Sequence, residues 1–319
     1  MINLRQQLPW YALLCALLFS SCNGEEEGRV LRLERLVFVA PLPCVLLPET
    51  VAPVVCSNDR ALLVDRFEVT QDEWQAWLEN QGSNSSALEC QTYWPDLAPT
   101  LPATGMTLTE AREFAEKNRM RVPTAREWIR VATGTRAQYY PWGRQAAESV
   151  ANTLELKLGT LAPVGTFDKG CTPSGVYDLL GNVAEWVLID DIVVQEDGRE
   201  RFEAWAMGGG YLSNRRQIYW LDYQADLGND GDGDGNTSFN RRALHEGHRS
   251  RDLGLRLIVD AEEWLRVESK AWDLTPESIK RLQRIGNSWG SQAVPLLKKL
   301  EGESGAAQGL AELLRGAQS

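Results

Sequence analysis

Capping boxes and apolar stripes predict three short helices in the first half of the chain. An apolar run over residues 62–69 predicts a strand that leads into the first of them. Thr70 and Glu73 are spaced so that the hydroxyl and the carboxylate satisfy the first free amides of a helix. Tryptophans three residues apart, beginning at Trp74, mark its buried face, and Gly82 marks its end.

Two further helices follow a similar pattern. Thr109 is the predicted N-cap of a helix over residues 110–118. Thr124 and Glu127 form a second capping box, and Gly134 is the predicted end of the third helix. The chain therefore mixes helices with short strands before its midpoint.

The second half of the chain is first loop-rich and then helical. Residues 139–259 are rich in Gly, Asn and Trp, and loops this long in a compact domain usually carry function or need metals or disulfides. Thr275 as N-cap and Pro276 at the first helical position then open a helix to about Ile285. Two Leu- and Ala-rich helices follow, over residues 292–300 and 308–314.

The first residues have the pattern of an export signal. Arg5 precedes an apolar stretch over residues 10–19 that is too short to span a bilayer comfortably. Two serines and Cys22 follow and resemble a bacterial lipobox, in which the cysteine is lipidated; a secretory signal cleaved near Ser21 is the alternative. We expect residues 1–21 to be a lipoprotein signal, and the exported chain to be anchored through Cys22 at the periplasmic or cell-surface face of a bacterial membrane.

Of the six cysteines, Cys15 lies in the signal and Cys22 is the anchor, and export favours disulfide bonds among the other four, which are Cys44, Cys56, Cys90 and Cys171. Four cysteines allow three pairings. We favour Cys44–Cys56, which closes a short Pro-rich segment and would contribute roughly 3 kcal/mol by the loop-entropy model. Cys90–Cys171 is then the remaining pair.

The charge balance argues against nucleic acid as a partner. The chain has 33 Lys and Arg against 44 Asp and Glu, a net charge of −11, and no basic block stands out. Nucleic-acid binding depends on clustered positive charge, because phosphates dominate the affinity. We therefore expect no nucleic-acid interface.

Several spaced motifs resemble the formylglycine-generating enzyme family, also called the sulfatase-modifying factor family. In order, they are EVT before the first helix, VPTAREW, YYPWG, PVGTF, GNVAEW, GGGY and LGLRL. The resemblance extends over roughly residues 60–259. It implies an α+β fold, a loop-rich domain related to the C-type lectin fold.

The resemblance also suggests the domain boundaries. A tether and N-terminal strands would occupy residues 22–59, and the sulfatase-modifying-factor-like domain residues 60–260. Residues 261–319 would form a small helical appendage, because two or three helices do not make a stable solenoid by themselves.

The resemblance implies structural calcium. In relatives, the asparagine, the next backbone carbonyl and the glutamate of the GNVAEW segment bind Ca²⁺, which implies Asn182, Val183 and Glu185 here. Calcium prefers six to eight hard oxygens, and this set supplies three of them. A second family site implies Asn152 and the carbonyl of Thr153, without an obvious acidic partner.

The family's own reaction is not expected. Relatives oxidise a cysteine of a sulfatase peptide with a pair of cysteines that holds copper(I), placed between the GGGY and LGLRL segments. This chain has no cysteine after Cys171. Copper(I) is a soft ion that selects sulfur ligands, so we expect no copper and no formylglycine-generating activity.

An aspartate-rich segment is a third candidate for calcium. Asp230, Asp232 and Asp234 begin a D-x-D-x-D-G pattern, but Arg241 stands where a bidentate glutamate would complete an EF-hand loop. A solvated acidic loop is an equal alternative.

The only two histidines lie close together. His245 and His248 could share a metal if they lay on one helix and Glu246 or an aspartate joined them. Most such pairs are exposed polar residues.

These observations favour a binding or structural module over an enzyme. The predicted function is an exported lipoprotein whose loops around residues 211–250 contact a protein, a peptide or a glycan. The alternative is a divergent metal-dependent oxidoreductase of the same superfamily that uses His245 and His248.

Overall fold

The computed structural model forms two compact units, one comprising Val37–Ala261 and the other combining Met1–Leu36 with Glu262–Ser319. The residues that it describes are 32–42, 44–45, 54–55, 60–81, 98–134, 138–188, 193–194, 200–201, 204–214, 241–244, 246–268, 275–303 and 305–316.

Short strands make two small sheets in the larger unit. A three-stranded sheet has the order β1 (Leu36–Val39), β4 (Leu62–Asp65) and β11 (Ile258–Asp260). A four-stranded sheet has the order β10 (Leu253–Gly254), β5 (Ala184–Leu188), β8 (Ala204–Met207) and β9 (Arg241–Leu244). Two-stranded ladders join β2 (Cys44–Val45) to β3 (Val54–Val55) and β6 (Val193–Val194) to β7 (Glu200–Arg201).

The central strand β5 explains why the GNVAEW segment is so apolar. It pairs parallel with β10 on one side and antiparallel with β8 on the other, so that neither edge faces solvent. Four of its five residues are buried, including Glu185 and Trp186. A strand covered on both faces and both edges requires a run of buried side chains.

Three helices belong to the larger unit, and the third shares a hydrophobic core cluster with both sheets. They are α1 (Gln71–Gln81), α2 (Leu108–Lys117) and α3 (Ala125–Thr133). The predicted box at Thr70 and Glu73 is present, since the amide of Thr70 donates to Glu73 Oε2 at 3.0 Å. The α3 cap at Thr124 and its end at Gly134 are also confirmed.

The predicted cap of α2 was wrong by two residues. Thr107, and not Thr109, accepts from the amide of Glu110, and the Glu110 carboxylate accepts from the amide of Thr107 at 2.8 Å. A capping box requires an acid or amide three residues after the cap, and Glu110 fits that spacing only from Thr107. Thr109 is an exposed residue inside the first turn.

The smaller unit contains the C-terminal helices, with α4 (Ala261–Glu268) at the boundary, followed by α5 (Pro276–Trp289), α6 (Val294–Glu301) and α7 (Ala306–Arg315). Thr275 is the N-cap of α5, as predicted, and the helix continues one turn past Ile285. Gly286 allows α5 and α7 to approach closely, because a Cβ there would lie 1.7 Å from the carbonyl oxygen of Leu314. Within the described residues, none of the helices is both long and apolar enough to cross a bilayer.

The predicted disulfides stay predictions. Cys171 carries a free thiol that donates to the carbonyl of Asp168 at 3.0 Å. Its predicted partner Cys90 lies outside the described residues, as do Cys56, the side chain of Cys44 and the predicted lipidation site Cys22.

Candidate functional site

A buried ion pair lies at the centre of the larger unit. Arg256, between β10 and β11, donates from Nη2 to Glu185 Oε1 at 2.6 Å and from Nε to both carboxylate oxygens at 3.0 and 3.1 Å. The two side chains are 1% and 0% exposed. A carboxylate and a guanidinium this deeply buried are stable only with complete hydrogen bonding.

The remaining donors complete that requirement and connect distant segments. Arg256 Nη1 donates to the carbonyl of Asp65 in β4 at 2.9 Å, and Nη2 donates to the carbonyl of Tyr177 at 2.7 Å. The indole of Trp128, on α3, donates to Glu185 Oε2 at 2.7 Å. One ion pair therefore holds α3, both sheets and the loop before β5.

A second set of buried hydrogen bonds centres on the side chain of Asn182, four residues after Asp178. Its Oδ1 accepts from the amide of Ala162 at 3.0 Å and from Asn152 Nδ2 at 3.1 Å. Its Nδ2 donates to Glu68 Oε2 at 2.9 Å, while the amide of Val183 donates to Glu68 Oε1 at 3.2 Å. The side chain thus ties three loops together inside the core.

The backbone of this turn explains its glycine and its asparagine. Gly181 and Asn182 have φ of 86° and 60°, in the left-handed region that glycine adopts freely and asparagine tolerates. A Cβ on Gly181 would lie 2.5 Å from the carbonyl oxygen of Asn152. The local sequence therefore permits both the turn and the close approach of the neighbouring loop.

Three carboxylates, those of Glu185, Glu68 and Asp178, interact electrostatically with the Arg256 guanidinium. Burial raises the pKa of Glu68 well above its usual value, and the nearby charges of Asp178 and Glu185 raise it further. Burial also raises the pKa of Asp178 to about 6, although the amide of Gly165 donates to its carboxylate at 2.7 Å. Such groups favour the protonated state because desolvation disfavours the charge.

Two of the three residues predicted to bind calcium at the GNVAEW segment, Asn182 and Glu185, have side chains that do not fit that ion as they are arranged, and the part of the Val183 carbonyl stays a prediction. Both oxygens of Glu185 accept from N–H donors of Arg256 and Trp128, and the side-chain oxygen of Asn182 accepts from two N–H groups. A calcium ligand must instead present its lone pairs to a common point. The structure gives these side chains hydrogen-bonding roles within the protein.

At the second predicted calcium site, only one of the two ligand oxygens is hydrogen-bonded to another described residue. Asn152 is buried, and its Oδ1 has no hydrogen-bond partner among the described residues, while its Nδ2 donates to the carbonyl of Thr160 at 2.9 Å. The carbonyl of Thr153 accepts from the amide of Leu156 at 3.0 Å. Two oxygens fall short of a calcium shell, so this site stays a prediction.

The histidine segment is not the helix that metal sharing would require. Residues 246–247 form a turn and residues 248–250 are irregular. The Glu246 carboxylate, considered above as a third ligand, pairs with Arg112 at 3.2 Å. His245 lies outside the described residues, as do Asp230, Asp232 and Asp234.

The residues on both sides of His248 are fixed to α2 instead. Arg249 donates to both carboxylate oxygens of Glu110 at 2.7 Å each, and the carbonyl of Glu246 accepts from the amide of Leu108 at 2.9 Å. No cluster of three or more potential metal ligands occurs in the described part of the chain.

Sequence reasoning missed the two residues that complete the buried network. Glu68 is the glutamate of the EVT motif, and Arg256 is the arginine of the LGLRL motif. Both were noted only as family markers. A charged residue inside an otherwise apolar strand pattern was the available indication, since such a residue needs a partner when it is buried.

Comparison with known proteins identifies the domain. Residues 48–261, more than half of the chain, match the family described as the sulfatase-modifying factor enzyme 1-like domain. The chain belongs to this family. The match confirms the predicted α+β sulfatase-modifying-factor fold.

Curated relatives share part of this sulfatase-modifying factor domain. Hercynine oxygenase of Mycobacterium tuberculosis is 28% identical over 182 residues, which cover 47% of this chain and 42% of that protein. The inactive C-alpha-formylglycine-generating enzyme 2 of Bos taurus is 28% identical over 109 residues, which cover 31% of this chain and 36% of that protein. The chain thus spans less than half the length of these relatives.

Solved structures also resemble this member of the family. CarF is 19% identical, with a TM-score of 0.47, and the similarity covers 70% of this chain and 97% of CarF. Treponema denticola variable protein 1 is 17% identical, with a TM-score of 0.48, and the similarity covers 70% of this chain and 94% of that one.

The raised pKa of Asp178 gives a prediction for stability against pH. The native state binds this proton more tightly than the unfolded chain, so its stabilisation is complete below about pH 4 and is lost as pH rises through about 6. Asp178→Asn keeps an acceptor for Gly165 and tolerates the positive φ of 56°. It should therefore raise the unfolding free energy by up to about 3 kcal/mol at pH 8, and much less at pH 4.

Urea unfolding at the two pH values measures this difference. Asp168→Asn is the control, because Asp168 is exposed and the amide oxygen of asparagine can still accept from the hydroxyl of Tyr177. An equal effect of Asp178→Asn at pH 4 and pH 8 would show that the buried charge has no part in it.

Proposed function

We propose that the chain is a non-catalytic member of the sulfatase-modifying factor family that acts as a binding module. The observation that carries this proposal is the absence of any cysteine after Cys171. Copper(I) chemistry in this family requires a thiolate pair late in the domain, and neither carboxylates nor amides can replace soft sulfur ligands. Catalytic residues are therefore not assigned.

The buried network supports a scaffold role. Glu185 and Arg256 are fully engaged by protein groups and almost inaccessible to solvent, so they cannot touch a substrate. Their contacts instead fix the starting points of loops on the larger unit. Binding residues commonly lie on loops that a rigid core positions.

Exposed leucines support a protein or peptide as the partner. Leu154, Leu158 and Leu212 are 50%, 47% and 40% exposed, and they are three of the four large hydrophobic side chains that are exposed among the described residues. The amide of Leu154 donates to the carbonyl of Ser213 at 3.0 Å, which brings the first of these loops against the last. Apolar groups held at the surface favour a partner with apolar side chains over a glycan.

The location is part of the same proposal. Lipidation at Cys22 would hold the chain at a bacterial membrane, on its periplasmic or cell-surface face, and would place the partner outside the cytosol. The motif of two serines followed by Cys22 after an apolar stretch supports it. A disulfide between Cys44 and Cys56, predicted from the sequence, would be compatible with that compartment.

An oxidoreductase is the second candidate. The hercynine oxygenases matched here are enzymes by name, and His245 and His248 are the residues that could hold a metal in this chain. Against it, Glu246 pairs with Arg112, and the segment that follows His248 is fixed to α2 through Arg249 and Glu110.

Metal content and turnover distinguish the two candidates. Purified protein, incubated with copper(I) or iron(II) and oxygen, should neither convert a cysteine-containing sulfatase peptide to an aldehyde nor oxidise hercynine in the presence of a thiol. It should also retain no stoichiometric copper or iron after gel filtration. Bound iron or copper that disappears in the double variant His245→Ala/His248→Ala would establish the oxidoreductase instead.

The anchor is tested by fractionating cells that produce the full chain. We expect the wild type in the membrane pellet and Cys22→Ser in the soluble fraction, because loss of the acyl chains removes most of the apolar surface that partitions into the bilayer. Cys171→Ser is the matched control, which should stay with the membrane. Retention of Cys22→Ser in the pellet would assign the attachment to another element.

The exposed apolar surface around Leu154 and Leu212 is tested by cross-linking in the same cells. The double change Leu154→Asp/Leu212→Asp should lower the recovery of cross-linked partner about tenfold or more, because two exposed apolar contacts are replaced by charges. Val267→Asp, on α4, is the control, since Val267 is 49% exposed and belongs to the smaller unit. Equal losses in both variants would contradict a specific role for the leucines.

A further inference from the structure

We propose that Arg256 is the cation of the GNVAEW segment, and that the side chains of Asn182 and Glu185 consequently bind no calcium. The domain would then be held together at this point by a covalently attached charge. It would not depend on an ion that can dissociate. This inference concerns the stability of the fold and is independent of the proposed binding role.

The carboxylate of Glu185 is directed at the guanidinium from both of its oxygens. Oε1 accepts from Nη2 and Nε of Arg256, and Oε2 accepts from Nε and from the indole of Trp128. The carboxylate therefore has four N–H contacts between 2.6 and 3.1 Å. A Ca²⁺ ion at the usual distance of about 2.4 Å from these oxygens would displace those donors or face them at close range.

The amide of Asn182 is equally committed. Its Oδ1, the atom that would ligate calcium, accepts from Ala162 N and Asn152 Nδ2, and its Nδ2 is fixed by Glu68. A rotation that freed Oδ1 would break all of these bonds. Because the residue is 1% exposed, water could not replace them.

Arg256 also connects separate loops, as a structural metal ion would. Its guanidinium contacts the carbonyl oxygens of Asp65 and Tyr177 in addition to the Glu185 carboxylate. Carbonyl and carboxylate oxygens converging on one positive centre are typical of a calcium shell. Here the planar donor group of an arginine occupies that centre, and its directional N–H bonds select the same oxygens.

The experiment follows the melting temperature of the purified full chain in excess EGTA, in millimolar CaCl₂ and in millimolar MgCl₂. The wild type and Glu185→Gln are compared in each solution. We expect the calcium-dependent shift in Tm to be the same in both proteins to within about 1 °C. A common shift would arise from calcium bound elsewhere, such as near Asn152, and agrees with the proposal. A shift of several degrees that is present in the wild type and lost in Glu185→Gln would overturn it.

Arginine variants provide the positive test. Arg256→Gln should lower Tm by roughly 10 °C because it leaves Glu185 buried without its counter-charge. Arg256→Lys should recover part of this loss, since it restores the charge but not the five-donor geometry. Equal losses for the two variants would contradict a role for the positive charge.

One measurement covers the case in which Glu185→Gln does not fold. Equilibrium dialysis against radioactive calcium reports binding directly. The wild type is compared with a second variant, Asn182→Ser. Serine removes the amide oxygen while keeping a small polar side chain in the turn. A binding stoichiometry that falls by one ion in Asn182→Ser would overturn the proposal, and an unchanged stoichiometry supports it.

Discussion

The buried pair of Arg256 and Glu185 is the interaction on which the larger unit depends. Long loops supply much of this domain, and short strands cannot organise them through backbone hydrogen bonds alone. The guanidinium reaches the carbonyls of β4 and of the loop before β5, and the carboxylate reaches α3 through Trp128. Removing either charge would leave the other unpaired in a site that is almost inaccessible to solvent, which is why a buried pair, once present, constrains the structure strongly.

The same network accounts for the polar residues that interrupt the apolar run around β5. Asn182 and Glu185 are buried because each satisfies groups from other segments, and Gly181 allows the neighbouring loop to pass within contact distance. Glu68 and Asp178 add two further carboxylates whose pKa values burial raises. The cluster therefore combines buried hydrogen bonds with two carboxyl groups whose raised pKa values make their protonation depend on pH.

Membership of the family does not by itself carry the family's reaction to this chain. The domain belongs to the sulfatase-modifying factor family through residues 48–261, yet the late cysteine pair of the copper enzymes is missing from its sequence. A fold of this kind keeps its core network for stability, whereas its chemistry depends on a few side chains in loops. The exposed leucines near Ser213 are consistent with a surface used for contact, and the C-terminal helices form a separate unit with its own close packing at Gly286.

The sequence by itself determined the elements whose causes are local. The capping boxes at Thr70 and Thr124, the N-cap at Thr275 and the end of α3 at Gly134 depend on residues within one turn of each other, so spacing alone predicted them. The ordered motifs were sufficient for the family. Only the tertiary structure decided what Glu185 and Asn182 contact, because Arg256 is 71 residues from Glu185 and Glu68 is 114 residues from Asn182. Local sequence patterns do not indicate which distant charged group lies beside a buried carboxylate. That group determines whether the carboxylate oxygens pair with an arginine or are free to bind a metal ion.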